Sequence, residues 1–210
     1  MKATLSGLYI ITDKKLIERD NFLNTVEFAL KGGANIVQLR EKDTSAEEIL
    51  LLGKRLLSIT KKYYVPLIIN DYPEVAHEIG ADGVHLGEND PDVKTARKII
   101  GNDKIIGVSC YNRIDRGEKA VRDGADYIVF GTPYYTPTKP DREPTSLDTL
   151  LEAIDRFRDI PIFAIGGINE NNAGTIIEAG VDGIAVITGI FGSEDPEKSA
   201  RTLSSLFTRP

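Results

Sequence analysis

Gln38, Arg40 and Lys42 alternate with Val37 and Leu39 in the run Val37-Gln38-Leu39-Arg40-Glu41-Lys42. Side chains two apart on a strand share a face. The spacing therefore sets an amide, a guanidinium and an ammonium on one side, with Val37 and Leu39 on the other. The preceding Gly32-Gly33-Ala34-Asn35-Ile36 reads as entry into a core. A buried face with two cations is costly unless an anion neutralises them. The chemistry indicated is capture of a phosphorylated ligand. On this segment alone, a surface salt-bridge cluster with Glu41 and Asp43 is the alternative.

Two carboxylates add a second kind of chemistry. Asn70-Asp71 follows the apolar Leu67-Ile68-Ile69, and Asp90 lies in His85-Leu86-Gly87-Glu88-Asn89-Asp90-Pro91. Carboxylates on neighbouring strand ends would reach one Mg²⁺, which takes one or two carboxylates plus waters and phosphate oxygens. Each also reads as a helix cap, since Pro73 and Pro91 follow closely. His85 falls inside a strand and reads as an interior residue. The single cysteine, Cys110, has no histidine near it in sequence to activate it as a nucleophile.

Further polar residues stand where apolar runs end. Ser109 follows Lys104-Ile105-Ile106-Gly107-Val108, and its hydroxyl suits either a phosphate oxygen or a turn. Residues 131–144 form the longest non-helical stretch, with Thr136, Thr138 and Lys139 set among prolines. Loops of that length are usually functional or disordered, and this one reads as a lid closing over an anion. Gly166-Gly167 and Ile187-Thr188-Gly189 offer backbone amides of the kind that hold phosphates. Two anion sites emerge. One holds Arg40, Lys42, Ser109 and Lys139 beside Asp71 and Asp90, and the other holds Gly167, Thr188, Thr136 and Thr138.

The elements that must position these residues show a repeat. Gly33-Ala34-Asn35, Gly80-Ala81-Asp82, Gly124-Ala125-Asp126 and Gly180-Val181-Asp182 each close a helical pattern and open an apolar run. Glycine there suits a left-handed helix end. Four more β-like runs lie between them, around Leu8–Ile11, 65–69, 104–108 and 160–165, giving eight strands alternating with amphipathic helices such as 46–59 and 147–157. Strict alternation with short apolar strands predicts a parallel sheet covered on both faces. Eight units predict one (β/α)8 TIM barrel over residues 1–210, with function at the C-terminal strand ends. An open doubly wound sheet is the alternative, and recurrence at alternate strands favours closure.

Bulk properties narrow the class. The 210 residues are 41% hydrophobic and 28% charged, with net charge −6, which argues against a general nucleic-acid surface. No run has the length of a membrane helix, and the start lacks a signal peptide's order, so the encoded start is expected to be the mature one. One cysteine excludes an internal disulfide and fits a reducing, cytoplasmic compartment.

The ordered motifs Gln38-Leu39-Arg40-Glu41-Lys42, Asn70-Asp71, Asp82-Gly83-Val84-His85-Leu86-Gly87 with Asp90, Gly107-Val108-Ser109, Thr136-Pro137-Thr138-Lys139 and Ile165-Gly166-Gly167-Ile168 resemble the thiamine-phosphate synthase family over nearly the whole chain. The resemblance implies an Mg²⁺-dependent transferase joining an aminopyrimidine (hydroxymethylpyrimidine) diphosphate to a thiazole phosphate. Pyrophosphate leaves first, and the thiazole nitrogen captures a pyrimidine carbocation. By the same resemblance, Gln38, Leu39, Arg40, Glu41, Lys42, Asn70, Ser109 and Lys139 hold the pyrimidine diphosphate. Arg40, Lys42, Ser109 and Lys139 are implied as its catalytic residues. Asp71 and Asp90 match metal ligands. Thr136, Pro137, Thr138, Gly167, Ile187 and Thr188 match the thiazole-phosphate pocket. Partners are then small molecules, with neither nucleic acid nor membrane, and a homodimer is compatible with the sequence.

The chain departs from that pattern at Cys110-Tyr111-Asn112, at Gly131-Thr132-Pro133 and at Thr145-Ser146-Leu147. Two rivals share the scaffold. A thiazole tautomerase-like isomerase is associated with a histidine near position 111, where this chain has Tyr111. A catalytically silent phosphate-binding barrel predicts loss of the carboxylates or of Lys139, and all are present.

Overall fold

A computed structural model describes residues 5–136 and 144–207. Eight parallel strands close in sequence order into a barrel. They are β1 (Gly7–Ile11), β2 (Ile36–Leu39), β3 (Leu67–Asn70), β4 (Gly83–Leu86), β5 (Ile105–Tyr111), β6 (Tyr127–Gly131), β7 (Ile162–Ile165) and β8 (Gly183–Val186). The helices around them are α1 (Phe22–Lys31), α2 (Ala46–Lys62), α3 (Pro73–Ile79), α4 (Val93–Ile100), α5 (Ile114–Asp123), α6 (Leu147–Arg156), α7 (Ala173–Glu178), α8 (Thr188–Phe191) and α9 (Pro196–Ser204). The closed ring settles the choice against an open sheet.

Local chemistry explains these elements. The α2 helix starts at Ser45, whose hydroxyl accepts from Glu48 N–H at 3.3 Å, and its last turn carries Lys61 and Lys62 against the carbonyl end. Its apolar stripe of Ile49, Leu52, Leu56 and Leu57 is buried against the barrel. The four repeat glycines all adopt positive φ: Gly33 at 96°, Gly80 at 69°, Gly124 at 94° and Gly180 at 105°.

The third residue of each repeat unit has a job that periodicity alone did not disclose. Asn35 Oδ1 accepts the N–H of Leu8 at 2.9 Å. Asp82, Asp126 and Asp182 accept the N–H groups of Leu67, Ile106 and Ile162, each at 2.8 Å. The same four residues donate their own N–H to the carbonyls of Leu8, Leu67, Ile106 and Ile162. Each odd strand is thus bracketed at its start by the even strand that follows it. Backbone groups that the ladder would leave unpaired are satisfied this way, which is why the phrase recurs at alternate strands.

Two apolar layers result. Val37 and Leu39 join the layer between strands and helices, while Tyr9, Ile11, Ile36, Ile68, Tyr127, Val129, Phe163 and Ala185 fill the barrel interior. Tyr9, Tyr127 and Phe163 pack edge to face at 5.5–5.8 Å. Their size demands small partners: a Cβ on Gly107 would overlap the Tyr127 ring, and one on Gly183 the Phe163 ring.

Candidate active site

The strand carrying the opening motif is shorter than its sequence alternation suggested. The β2 strand ends at Leu39, so Gln38 projects into the barrel while Arg40 and Lys42 stand on the loop above it. Arg40 Nη1 donates to Asp13 Oδ2 at 3.0 Å, both side chains 12% exposed, and Arg40 N–H donates to Thr12 Oγ1 at 3.0 Å. The Lys42 ammonium is half exposed and paired with Asp71. The expected buried cationic face is therefore corrected: Arg40 is partly buried, Lys42 is half exposed, and each already has its own carboxylate. Neither Glu41 nor Asp43 supplies those carboxylates; Asp13 and Asp71 do.

The Leu39 and Glu41 side chains are both buried. Leu39 is buried under the helices. The Glu41 carboxyl is buried 3.6 Å from Arg19 Nη1, and burial raises its pKa against the pull of Arg19.

Asp71 and Asp90 come together. Asp71 follows Asn70 at the β3 end, with φ of 67°, and its N–H donates to His85 O at 2.9 Å. Asp90 Oδ2 accepts Gly87 N–H at 2.6 Å. The two carboxyls are close enough to shift each other's titration. Neither is a helix cap: α3 begins after Tyr72 with no side-chain cap, and Asp92 caps α4 by accepting from Thr95 N–H. Burial and the neighbouring Asp71 push Asp90 up to about 6. Burial also pushes Asp71 up, but its bonds to Asp90 and Lys42 outweigh this and lower it.

Among the described residues, no group of three or more His, Cys, Asp and Glu side chains is arranged to hold a metal. Two adjacent carboxylates whose combined charge raises one pKa nevertheless suit a hard cation that keeps several waters.

Ser109 sits inside β5 rather than after it, because pairing with β6 continues past a bulge between Ser109 and Tyr111. Its Oγ lies 2.8 Å from His85 Nε2. Arg116 on α5 donates to Ser109 O at 2.6 Å and to Gly87 O at 2.7 Å, and Tyr111 Oη accepts Glu88 N–H at 3.1 Å. These contacts hold the 87–90 loop that presents Asp90. In sequence Tyr111 stands out only as a departure from the family pattern, and Arg116 carries no signal in its own segment.

Across the mouth, Thr136, Gly167, Ile187 and Thr188 line one cavity of about 300 Å³, with Ile168, Asn169 and Gly189 beside them. Gly167 has φ of 60°, and a Cβ there would run into the Tyr135 carbonyl, so glycine is required twice over. Asn172 fixes this turn by donating to Gly167 O at 3.0 Å and accepting Asn169 N–H at 2.9 Å. Thr132 donates to Gly166 O, and Thr145 donates to Tyr111 O at 3.2 Å, so two of the departures brace the base of the loop after β6. Pro137, Thr138 and Lys139, with the middle of the expected lid, lie outside the described residues.

A parallel barrel with a cation–carboxylate cluster at one side of its C-terminal mouth and a glycine-lined cavity at the other defines a (β/α)8-barrel enzyme. Residues 8–190 match the thiamine monophosphate synthase family, and the chain belongs to that family. It is 46% identical over 200 residues to the thiamine-phosphate synthase of Clostridium tetani, covering 95% of each chain. It is 45% identical to that of Methylococcus capsulatus, covering 97% of this chain and 90% of that protein. The thiamine phosphate pyrophosphorylase structure from Pyrococcus furiosus superposes with a TM-score of 0.86 at 35% identity, covering 95% and 94% of the two chains. A 3-hexulose-6-phosphate synthase at 17% identity and TM-score 0.66 shares the fold alone.

Proposed function

We propose that this protein is a thiamine-phosphate synthase that condenses an aminopyrimidine diphosphate with a thiazole phosphate and releases pyrophosphate. The observation that carries the reading is the cluster of Lys42, Asp71 and Asp90 beside Ser109, set across the barrel mouth from the cavity of Thr136, Gly167 and Thr188. The first would take the diphosphate and the second the thiazole phosphate. Loops after strands seven and eight, with a short extra helix, are a recurrent phosphate site in barrels, and α8 supplies such a helix here.

Asp71 and Asp90 would hold Mg²⁺, which when bound supplies charge neutralisation for a departing diphosphate. Arg40 and Lys42 supply the protein's own cationic charge. The Arg40 fork suits two oxygens of one phosphate, while Lys42 acts as a mobile point charge that exchanges Asp71 for the ligand. Lys139, from the resemblance, adds a third cation. As the C–O bond to the diphosphate breaks, its electron pair leaves with pyrophosphate. The thiazole nitrogen lone pair then forms the new C–N bond. No protein nucleophile is needed. Cys110 fits this absence, since its buried thiol is raised to about 12 by burial and stays protonated. Catalysis is then positioning plus stabilisation of the leaving charge.

The reading is tested by incubating purified protein with both substrates and Mg²⁺ and assaying thiamine phosphate directly. Product formation is expected. Isomerisation of the thiazole without any condensation would favour the tautomerase reading instead.

A further inference from the structure

Five polar side chains form one continuous chain through the otherwise apolar barrel interior. Gln38 Nε2 donates to Tyr9 Oη at 2.6 Å. Tyr9 Oη lies 2.8 Å from Tyr127 Oη, which lies 3.0 Å from His85 Nδ1. His85 Nε2 then lies 2.8 Å from Ser109 Oγ. Tyr9 and Tyr127 are fully buried, and His85 is 6% exposed with its ring stacked on Tyr127.

Proton economy gives this chain a direction. Tyr9 Oη accepts from the Gln38 amide, so its one proton goes to the other neighbour, Tyr127. Tyr127 Oη accepts that proton and gives its own to His85 Nδ1. An imidazole accepting at Nδ1 carries its proton on Nε2 and donates it to Ser109. Ser109 Oγ, having accepted, has its own hydroxyl proton left to donate elsewhere. Burial raises the pKa of both phenols, so neither loses its proton near neutrality. Turning the Gln38 amide over would reverse every bond. Ser109 would then spend its proton on His85 and present only lone pairs, which repel an anion.

We propose that Gln38, Tyr9, Tyr127 and His85 form a one-way hydrogen-bond relay that positions the Ser109 hydroxyl as a donor toward the diphosphate and leaves Gln38 Oε1 as acceptor for the amino group of the pyrimidine. The proposal rests on the proposed function for the identity of the ligand. Its consequence is coupling: a ring that offers an N–H to Gln38 Oε1 holds the amide in the orientation that aims Ser109 at the ligand's own diphosphate. His85, Tyr127 and Tyr9 are thus positioning residues that act through Ser109 and Gln38.

Two measurements test it, both by pyrophosphate binding rather than turnover. The first is ¹⁵N NMR of histidine-labelled protein with pyrophosphate and Mg²⁺. The chain has two histidines, and His77 is exposed on α3, so the buried His85 ring is separable. A neutral His85 protonated on Nε2 is expected; protonation on Nδ1, or on both nitrogens, overturns the relay. The second is a double-mutant cycle. Tyr127→Phe keeps the ring and deletes one link, so pyrophosphate affinity should fall roughly tenfold in the unmodified chain and less than about twofold in Ser109→Ala. Thiazole-phosphate affinity should not change. Tyr9→Phe breaks the same chain at another link, and should repeat the pattern if Tyr127→Phe folds poorly. Equal losses with and without Ser109 would overturn the relay. Coupled pyrophosphate binding with no condensation would refute the proposed function and leave the relay standing. Condensation with uncoupled variants would refute the relay alone, and an unmodified chain that ignores pyrophosphate would refute both.

Discussion

Asp71, directly after β3, and Asp90, on the loop that follows the adjacent β4, carry carboxyls close enough to shift each other's titration in opposite directions. Burial and the charge of Asp71 raise Asp90 to about 6. A carboxyl raised in the folded state contributes stability that is full below its unfolded pKa, near 4, and that is lost as pH rises through the folded value. Without divalent ions, melting temperature should therefore fall as pH rises from 5 to 7 by more in the native chain than in Asp90→Asn. Mg²⁺ should remove that difference and bind more weakly below about pH 6. Thermal melts across this range, with and without Mg²⁺, check both statements. A native chain whose slope matches Asp90→Asn would contradict them.

Asp71 occupies a left-handed conformation at φ of 67°, which asparagine tolerates better than most residues. Asp71→Asn should therefore fold normally. Its ion pair with the half-exposed Lys42 contributes little to stability. Activity should drop roughly 10²–10³-fold, with a much higher Mg²⁺ requirement. An unchanged magnesium titration would show that Asp71 is no ligand.

Asp13 acts as a stand-in anion for Arg40 at 3.0 Å. Asp13→Ala should cost about 1.5–3 kcal/mol, as expected for a lost charged hydrogen bond. Because bound diphosphate would repartner the guanidinium, pyrophosphate should raise the melting temperature of this variant more than that of the native chain. Equal ligand-induced shifts would mean that Arg40 keeps away from the diphosphate.

Asp82 brackets the start of β3 by accepting Leu67 N–H at 2.8 Å. Asp82→Ala leaves that backbone group unpaired and should cost about 1–3 kcal/mol. Asp82→Asn retains an acceptor, as Asn35 does at the equivalent unit, and should lose far less. Denaturant unfolding of both variants distinguishes a bracket from a surface carboxylate, for which the two substitutions would be equivalent.

The repeat and the eight apolar runs made the barrel readable, because helix-ending glycines and short strands leave strong local signals. What local pattern cannot show is which neighbour a residue meets. Asp13 stands at the end of β1 as Asp71 does at β3, but nothing in its own segment points to Arg40. Tyr9 and Tyr127 fall inside apolar runs, and nothing there points to their hydroxyl partners, which come from other strands. Ser109 was placed past the strand because apolar alternation stops at Val108, whereas pairing across the bulge carries β5 on to Tyr111. Asp71 and Asp90 looked like caps because prolines follow them. Only the three-dimensional arrangement assigns the α4 cap to Asp92 and frees Asp90 for its pairing with Asp71.

The central claim is that two phosphorylated substrates meet at this mouth with help from the Asp71–Asp90 pair. Pyrophosphate release, followed while each component is omitted in turn, tests it most directly. Release should require the pyrimidine diphosphate, the thiazole phosphate and Mg²⁺ together, with one thiamine phosphate formed for each pyrophosphate. No release from the complete mixture, or release that persists without Mg²⁺, would contradict the account.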